Sequence, residues 1–587
     1  MPYRGSCLVG DARVLAAVET KDIPTVPVDL RVTRIAWERI HLTLQLSFTD
    51  TDADWLGERD VAFALVDGDR TLPLEARALG DLDYEVVINV TNVANRRQLP
   101  NGTWRIVPIV DGAAVAAATF DVTHAAALDE ASRVFLYDGN RTSYTISFGL
   151  SEDDDRPLFL LRAYQMFRKG GRRPGLLKRI RRWPRKVAST SNKSKVLNWV
   201  YWTSRRLPRS RGRRILFASE QRHTLGGNLL RIRDRMVERG LDKEFLFSYS
   251  FRTPATSGKI STLRAICLLG RADFVFIDDY FAMLDSVKLA PDSTVVQVWH
   301  AGSGFKAVGY SRFGKYGSPR LTNAHRKYTY AITGSKHLVP VYAEVFGIEE
   351  SAVVPTGLPR IDTFLDPELT RAKVEAFYAE HPDLRGKRLI LFAPTFRGRG
   401  IRDAYYDYSR LDLDALYEYC GEDTVILFRM HHFVTEPVPI PPLYRDRMRD
   451  FSTFPDGNDL LHVVDLLVTD YSSIIYEYSL LRRPMLFFAY DKDIYASTRG
   501  FHRDYVETAP GKVCTTFDQF MEALRTNDFE EWRRDAFVEH NFDHVDTHSA
   551  DRVIDWLILG RPIGSPVQGQ DVIEPVVTEQ STKESVS

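Results

Sequence analysis

From about residue 25 to 150 apolar and polar residues alternate in short runs. Examples are Ile40-His41-Leu42-Thr43-Leu44-Gln45-Leu46 and Tyr84-Glu85-Val86-Val87-Ile88, and turn pairs such as Asp67-Gly68, Asn101-Gly102 and Asp111-Gly112 fall between such runs. A period of two interrupted by turns predicts strands with one buried face, enough of them for a small sandwich. Near residue 213 the pattern changes. Continuous apolar runs at 214–218, 245–247, 274–277, 294–298 and 330–333 alternate with longer stretches that include 226–239 and 336–346. A second series of runs follows at 389–392, 425–428, 465–468 and 485–488. Strands that are apolar throughout and joined by helices predict parallel sheets covered on both faces.

The pattern therefore predicts an α/β protein with two Rossmann-like halves around a cleft, preceded by a β-rich domain. The expected divisions are 1–150 for a β-rich accessory domain, 151–212 for a basic aromatic linker, 213–375 and 376–562 for the two halves, and 563–587 for a disordered tail. A length of 587 residues fits about three folding units. Cys7, Cys267, Cys420 and Cys514 are scattered without ligand-like spacing, which indicates neither a disulfide framework nor a zinc site and fits a reducing compartment. The first residues carry Arg4, Asp11 and Arg13 before any apolar run and do not read as a secretory signal. No window reaches the roughly 18 uncharged apolar residues of a spanning helix.

The zero formal net charge conceals an asymmetry. Residues 156–214 hold 20 Lys and Arg and no Asp or Glu, leaving 58 basic against 78 acidic residues elsewhere. Trp183, Trp199, Tyr201 and Trp202 are interleaved with these charges. Aromatic and basic side chains together suit the headgroup region of an anionic membrane, where each Lys or Arg contributes about 1 kcal/mol. A solvated linker or intramolecular contact, or a nucleic-acid surface, would use the same charges; the expectation adopted is a membrane surface and no nucleic acid.

Most of the distinctive residues fall where a predicted strand ends. His300 follows the 294–298 run in Trp299-His300-Ala301-Gly302-Ser303-Gly304, and His431 and His432 follow the 425–428 run. One imidazole could accept a proton from an attacking hydroxyl while the other stabilises charge on a transferring phosphate. Asp470-Tyr471-Ser472-Ser473 precedes Glu477 at a predicted helix start, where hydroxyls, free N–H groups and the helix dipole would suit a diphosphate; plain capping explains the same residues. Thr395 and Arg397 in Ala393-Pro394-Thr395-Phe396-Arg397-Gly398, Arg360 and Asp362 in Gly357-Leu358-Pro359-Arg360-Ile361-Asp362, and Arg499 in Thr498-Arg499-Gly500 complete the set. Each arginine could bind phosphate oxygens or form an ordinary surface ion pair.

The ordered motifs WHAGSGFKAVG, TGLPRIDTF, LFAPTFRG, LFRMHH, VTDYSSIIYEYSLLRRPMLFF, YDKDIY and STRGF, over about 213–555, resemble those of the CDP-glycerol glycerophosphotransferase family of teichoic acid and capsule enzymes. The resemblance implies a glycosyltransferase-B type fold with an acceptor-side first half and a donor-side second half. It implies His300 and His431 as catalytic residues, Ser472 and Ser473 as holders of the donor diphosphate, and Arg397, with Thr395, near the phosphates. The implied donor is CDP-glycerol or CDP-ribitol, with CMP released and no cofactor or metal; Asp278-Asp279 only approaches a metal-binding triad. The implied acceptor is lipid-linked or polymeric, at the cytoplasmic face of the membrane. Many relatives have Lys and Pro where this chain has Arg429 and His432, so His431 and His432 both stay candidates. A glycosyltransferase using a nucleotide sugar shares the fold and is the alternative.

Overall fold

The computed structural model describes residues 28–568 apart from 50–51, 58, 94–95, 116, 121–131, 138–141, 152–157, 168–189, 209–211, 254–256, 301–307, 314–318, 399–402 and 499–500. The most basic part of the expected linker, at 168–189, and 569–587 of the expected tail lie outside the described residues; the start of that tail is ordered, with Val567 buried in the core of the first sheet and Ser565 O accepting from Trp556 Nε1 at 3.1 Å.

The alternating runs form strands. Leu30–Glu38 and His41–Phe48 pair as a hairpin, with Leu42, Leu44, Leu46 and Phe48 buried and the residues between them partly exposed. Among the described residues this region makes a five-stranded and a seven-stranded sheet that share one apolar core. The β region runs past the expected boundary at 150. Phe159–Phe167 pairs along the whole of Thr142–Leu150 and with Gly102–Val110, and places Phe159, Leu161 and Ala163 in the core. That core also receives Tyr310, Phe313 and Leu321 from the following unit, so the sandwich is packed onto the rest of the chain.

The first α/β unit carries a six-stranded parallel sheet of Arg213–Ser219, Phe245–Phe251, Phe274–Ile277, Thr294–Gln297, Tyr330–Ile332 and Val353–Val354, arranged 2-1-3-4-5-6 in chain numbering. The second carries Arg388–Phe392, Thr424–Phe428, Met448–Asp450, Leu466–Thr469, Met485–Phe488 and Lys512–Cys514, arranged 3-2-1-4-5-6 and also parallel. Where strand order reverses, helices leave on opposite faces and a crevice opens at the C-terminal strand ends.

The division between units falls earlier than 375. Leu358, just before the helix Pro359–Phe364, with Ile361 and Phe364 on that helix and Phe377 on the helix Pro367–Glu380, join the core of the second sheet. At the other end Val553, Ile554 and Ile558 return to the core of the first sheet, so the expected range 376–562 splits. Ion pairs Arg235–Asp551 at 2.9 Å and Arg239–Asp555 at 2.6 Å hold that returning segment. The stretch at 194–214 is likewise more than a linker. Thr190–Arg206 is a helix whose Leu197 and Tyr201 are buried against the first unit, with the Tyr201 hydroxyl accepting from Ala290 N at 3.0 Å.

Candidate functional site

Adjacent strands of the first sheet set the first rim. Ile277 pairs with Gln297, so Asp278-Asp279 and Val298-Trp299-His300 leave the sheet side by side. Trp299 has φ of 49°, a left-handed conformation that costs a non-glycine residue about 1–3 kcal/mol and is held only by its surroundings. The restraints are visible. Asn228 Nδ2 donates to Val298 O at 2.8 Å and Trp299 O at 3.0 Å, and Trp299 N donates to Gln297 Oε1 at 2.8 Å. The bend places His300 Nδ1 at 3.3 Å from both Asp278 O and Asp279 Oδ2. Both neighbours are acceptors, so Nδ1 carries the ring proton of neutral His300 and Nε2 presents a lone pair. Asp279 is itself fixed, its Oδ1 accepting from Tyr280 N at 2.6 Å and its carbonyl from Gln297 Nε2 at 3.0 Å.

At the second rim the arrangement is inverted. Phe433 N donates to His431 Nδ1 at 3.2 Å, so the proton of neutral His431 resides on Nε2. The ring is wedged among Phe396 at 4.7 Å, Phe433 at 4.7 Å and His432 at 4.3 Å between centroids. His432 is the more exposed of the two histidines.

The Asp470 turn sits where the second sheet reverses order, between Arg388–Phe392 and Leu466–Thr469. Asp470 is fully buried and turned into the protein. Its Oδ1 accepts from Thr395 N at 2.7 Å and Thr395 Oγ1 at 2.6 Å, and its Oδ2 from Arg397 Nη1 at 2.8 Å. Arg397 also donates from Nε and Nη2 to Asp491 at 2.6 and 2.8 Å, with Tyr406, Tyr471 and Tyr490 around its guanidinium. Burial alone would lower the Arg397 pKa; Asp470 and Asp491 outweigh it and raise it, keeping the charge. Thr395, Arg397 and Asp470 thus brace the turn from below and are committed to one another. Ser472 and Ser473 remain at its surface, two to three residues ahead of a six-residue helix that begins at Ile475, not at the helix start itself.

Arg360 and Glu477 are brought together as an ion pair, and burial pulls Arg360 down to about 10. Arg360 N donates to Asn228 Oδ1 at 2.9 Å, which links this pair to the His300 rim. Asp362 is buried and accepts from Ser549 N and Ala550 N at 2.9 and 2.8 Å, capping a C-terminal helix rather than facing the cleft. Gly302 and Arg499 lie outside the described residues. A cavity of about 290 Å³ separates the units, lined by Arg222, Asn228, Asp278 and His300 on one side and Arg360, Lys373 and Asn458 on the other. Sequence reasoning missed Asn228 and Asp279. Gly226-Gly227-Asn228 ahead of a helical stretch was a usable signal for the first, and the strand-end Asp278-Asp279 pair for the second.

The model of the family described as CDP-Glycerol:Poly(glycerophosphate) glycerophosphotransferase matches residues 200–559. The teichoic acid ribitol-phosphate polymerase TarL of Staphylococcus aureus (strain NCTC 8325 / PS 47) is 37% identical over 381 residues, 64% of this chain and 68% of that protein. The teichoic acid poly(ribitol-phosphate) polymerase of Bacillus spizizenii (strain ATCC 23059 / NRRL B-14472 / W23) is 36% identical over 367 residues, 62% of this chain and 59% of that protein. Among solved structures, a variant of the wall teichoic acid polymerase TagF aligns over 65% of this chain and 98% of its own, with a TM-score of 0.52. At 20% identity that likeness is one of fold.

Proposed function

The chain belongs to the CDP-glycerol:poly(glycerophosphate) glycerophosphotransferase family, and on that premise we propose that it transfers a polyol phosphate from a CDP-polyol to a hydroxyl of a teichoic-acid-like acceptor, releasing CMP. The observation that carries this reading is that the two rim histidines face opposite partners, Nδ1 of His300 a carboxylate and a carbonyl oxygen and Nδ1 of His431 a backbone N–H. His300 Nε2 offers a lone pair, and His431 Nε2 offers a proton. The acceptor hydroxyl gives its proton to His300 Nε2 as its oxygen bonds to the phosphorus that carries the polyol. The bond from that phosphorus to the bridging oxygen breaks, and CMP leaves. His431 Nε2–H donates to the phosphoryl oxygens, while Ser472 and Ser473 contact the diphosphate. Positioning and charge stabilisation then supply most of the acceleration, as is general for phosphoryl transfer.

The two parallel sheets are read as the Rossmann-like halves of a glycosyltransferase-B type fold, the first on the acceptor side and the second on the donor side. CDP-ribitol is the donor favoured here, because the two relatives at 36–37% identity are ribitol-phosphate polymerases. Peripheral attachment to the cytoplasmic face of the membrane is supported by the helix Thr190–Arg206, where Val196 and Trp199 are 53% and 69% exposed beside Lys195 and Arg206.

The deciding experiment incubates the protein and a teichoic acid acceptor with CDP-ribitol, CDP-glycerol and a panel of nucleotide sugars. CMP release confined to CDP-polyols is the expected result. Release of a nucleoside diphosphate from a sugar donor would establish the glycosyltransferase alternative instead.

A further inference from the structure

The β sandwich is joined to both α/β units at one residue. In the hairpin turn between Leu30–Glu38 and His41–Phe48, Arg39 has φ of 53°. Its Nε and Nη2 donate to the two carboxylate oxygens of Glu344 at 2.9 Å each, and its Nη1 donates to His502 O at 3.1 Å. Glu344 belongs to the helix Val339–Phe346 of the first unit, and His502 to the second. His502 Nε2 and His41 Nδ1 lie 3.4 and 3.6 Å from Glu344 Oε2, and Glu344 and His502 are only 3% and 5% exposed. One guanidinium thus ties three modules together, in the bidentate geometry that fixes direction as well as charge.

The residues after His502 lead to the candidate diphosphate turn. Tyr505 OH donates to Asp470 O at 3.1 Å, and Phe501 and Tyr505 pack on Tyr471 with centroids 5.5 and 5.2 Å away. Tyr471 immediately precedes Ser472 and Ser473. A displacement of 501–505 would therefore reach the turn through a hydrogen bond to its backbone and through ring contacts.

We propose that Arg39 is a positioning residue for the donor site: the N-terminal sandwich clamps segment 501–505 through Glu344 and His502, and that segment holds the Asp470–Ser473 turn in place. The inference rests on the assignment of that turn to the donor diphosphate.

The test uses the full-length protein with Arg39→Ala, and Arg96→Ala as control. Arg96 makes a separate bridge between the sandwich and the first unit, donating to Arg326 O at 3.0 Å and to Tyr328 O. The expected result for Arg39→Ala is backbone hydrogen exchange in 501–508 faster by tenfold or more, with the KM for the CDP-polyol up about tenfold and the KM for acceptor unchanged. Arg96→Ala should change neither. Arg39→Lys, which keeps the charge and loses the bidentate contact, should show both effects at reduced size even if Arg39→Ala folds poorly. Unchanged exchange at 501–508, equal effects in Arg96→Ala, or faster exchange with an unchanged donor KM would each overturn the proposal. Hydrogen exchange reads the protein alone, so the clamp can be judged even if no CDP-polyol proves to be a substrate.

Discussion

A histidine ring carries its neutral proton on whichever nitrogen faces an acceptor, and the two rims differ in what they set against Nδ1. Asp279 beside His300 should therefore do more than hold the ring. Its carboxylate at 3.3 Å fixes which nitrogen is turned to the cleft as a base. Asp279→Asn is expected to lower kcat about 10- to 100-fold, the size seen when a ring's supporting carboxylate is lost. The amide no longer fixes the ring's tautomer, so the loss should fall on kcat while the donor KM stays constant. An unchanged kcat, or a kcat and donor KM that worsen together, would leave Asp279 only a packing role. The strand-end positions of His300 and His431 were legible because imidazoles after apolar runs and beside turns stand out in a sequence. The partners of Arg397 were not legible: Asp470 and Asp491 lie 73 and 94 residues along the chain, and only the closing of the sheet shows that both carboxylates already claim the guanidinium.

The helix Thr190–Arg206 combines two demands that a charge count merges. Leu197, Tyr201 and Ser204 are buried at helical spacing against the first unit, whereas Lys195, Val196, Trp199 and Arg206 face outward. The sequence reading of 194–214 preferred a membrane surface over an intramolecular contact, because basic residues outnumber the few apolar positions that carry the period and mark the inward face. The outward face is where attachment can be tested without disturbing the fold. A tryptophan buries about 150–250 Å² when it inserts, and at about 25 cal/mol per Å² its loss should be felt strongly. Val196→Ser with Trp199→Ser is expected to weaken sedimentation with anionic vesicles at least tenfold and to leave the thermal midpoint unchanged. Equal sedimentation of variant and parent would remove this helix from the attachment model.

At the scale of the whole molecule, alternation and turn chemistry foretold the sandwich and continuous apolar runs foretold both parallel sheets, but not how they join. Phe313 enters the sandwich core and Arg39 leaves it, and nothing local in the sequence distinguishes either residue. Their junction has a predictable response to acid. Burial alone would raise the Glu344 pKa, but the adjacent His502 and Arg39 outweigh it and pull the carboxyl down to about 2. Burial lowers His41 against the opposing pull of Glu344, with Arg39, Glu38 and His502 also facing the cluster. A depressed carboxyl contributes stability above its ordinary value of 4.5 and loses it as pH falls through the folded value. A depressed histidine likewise costs stability once pH falls below 6.5, so the two effects have the same sign. At 1.36 kcal/mol per pKa unit the Glu344 part is on the order of 3 kcal/mol, expressed between about pH 4.5 and 2. Glu344→Gln cannot ionise and removes the buried bidentate carboxylate from Arg39. Because Arg39 then keeps only the exposed Glu38 as counter-charge, the variant should be less stable than the parent at pH 7, and its urea midpoint should fall less steeply between pH 5 and 3. A variant that keeps the parent's slope across that interval would show that the acid sensitivity of the assembled modules arises elsewhere.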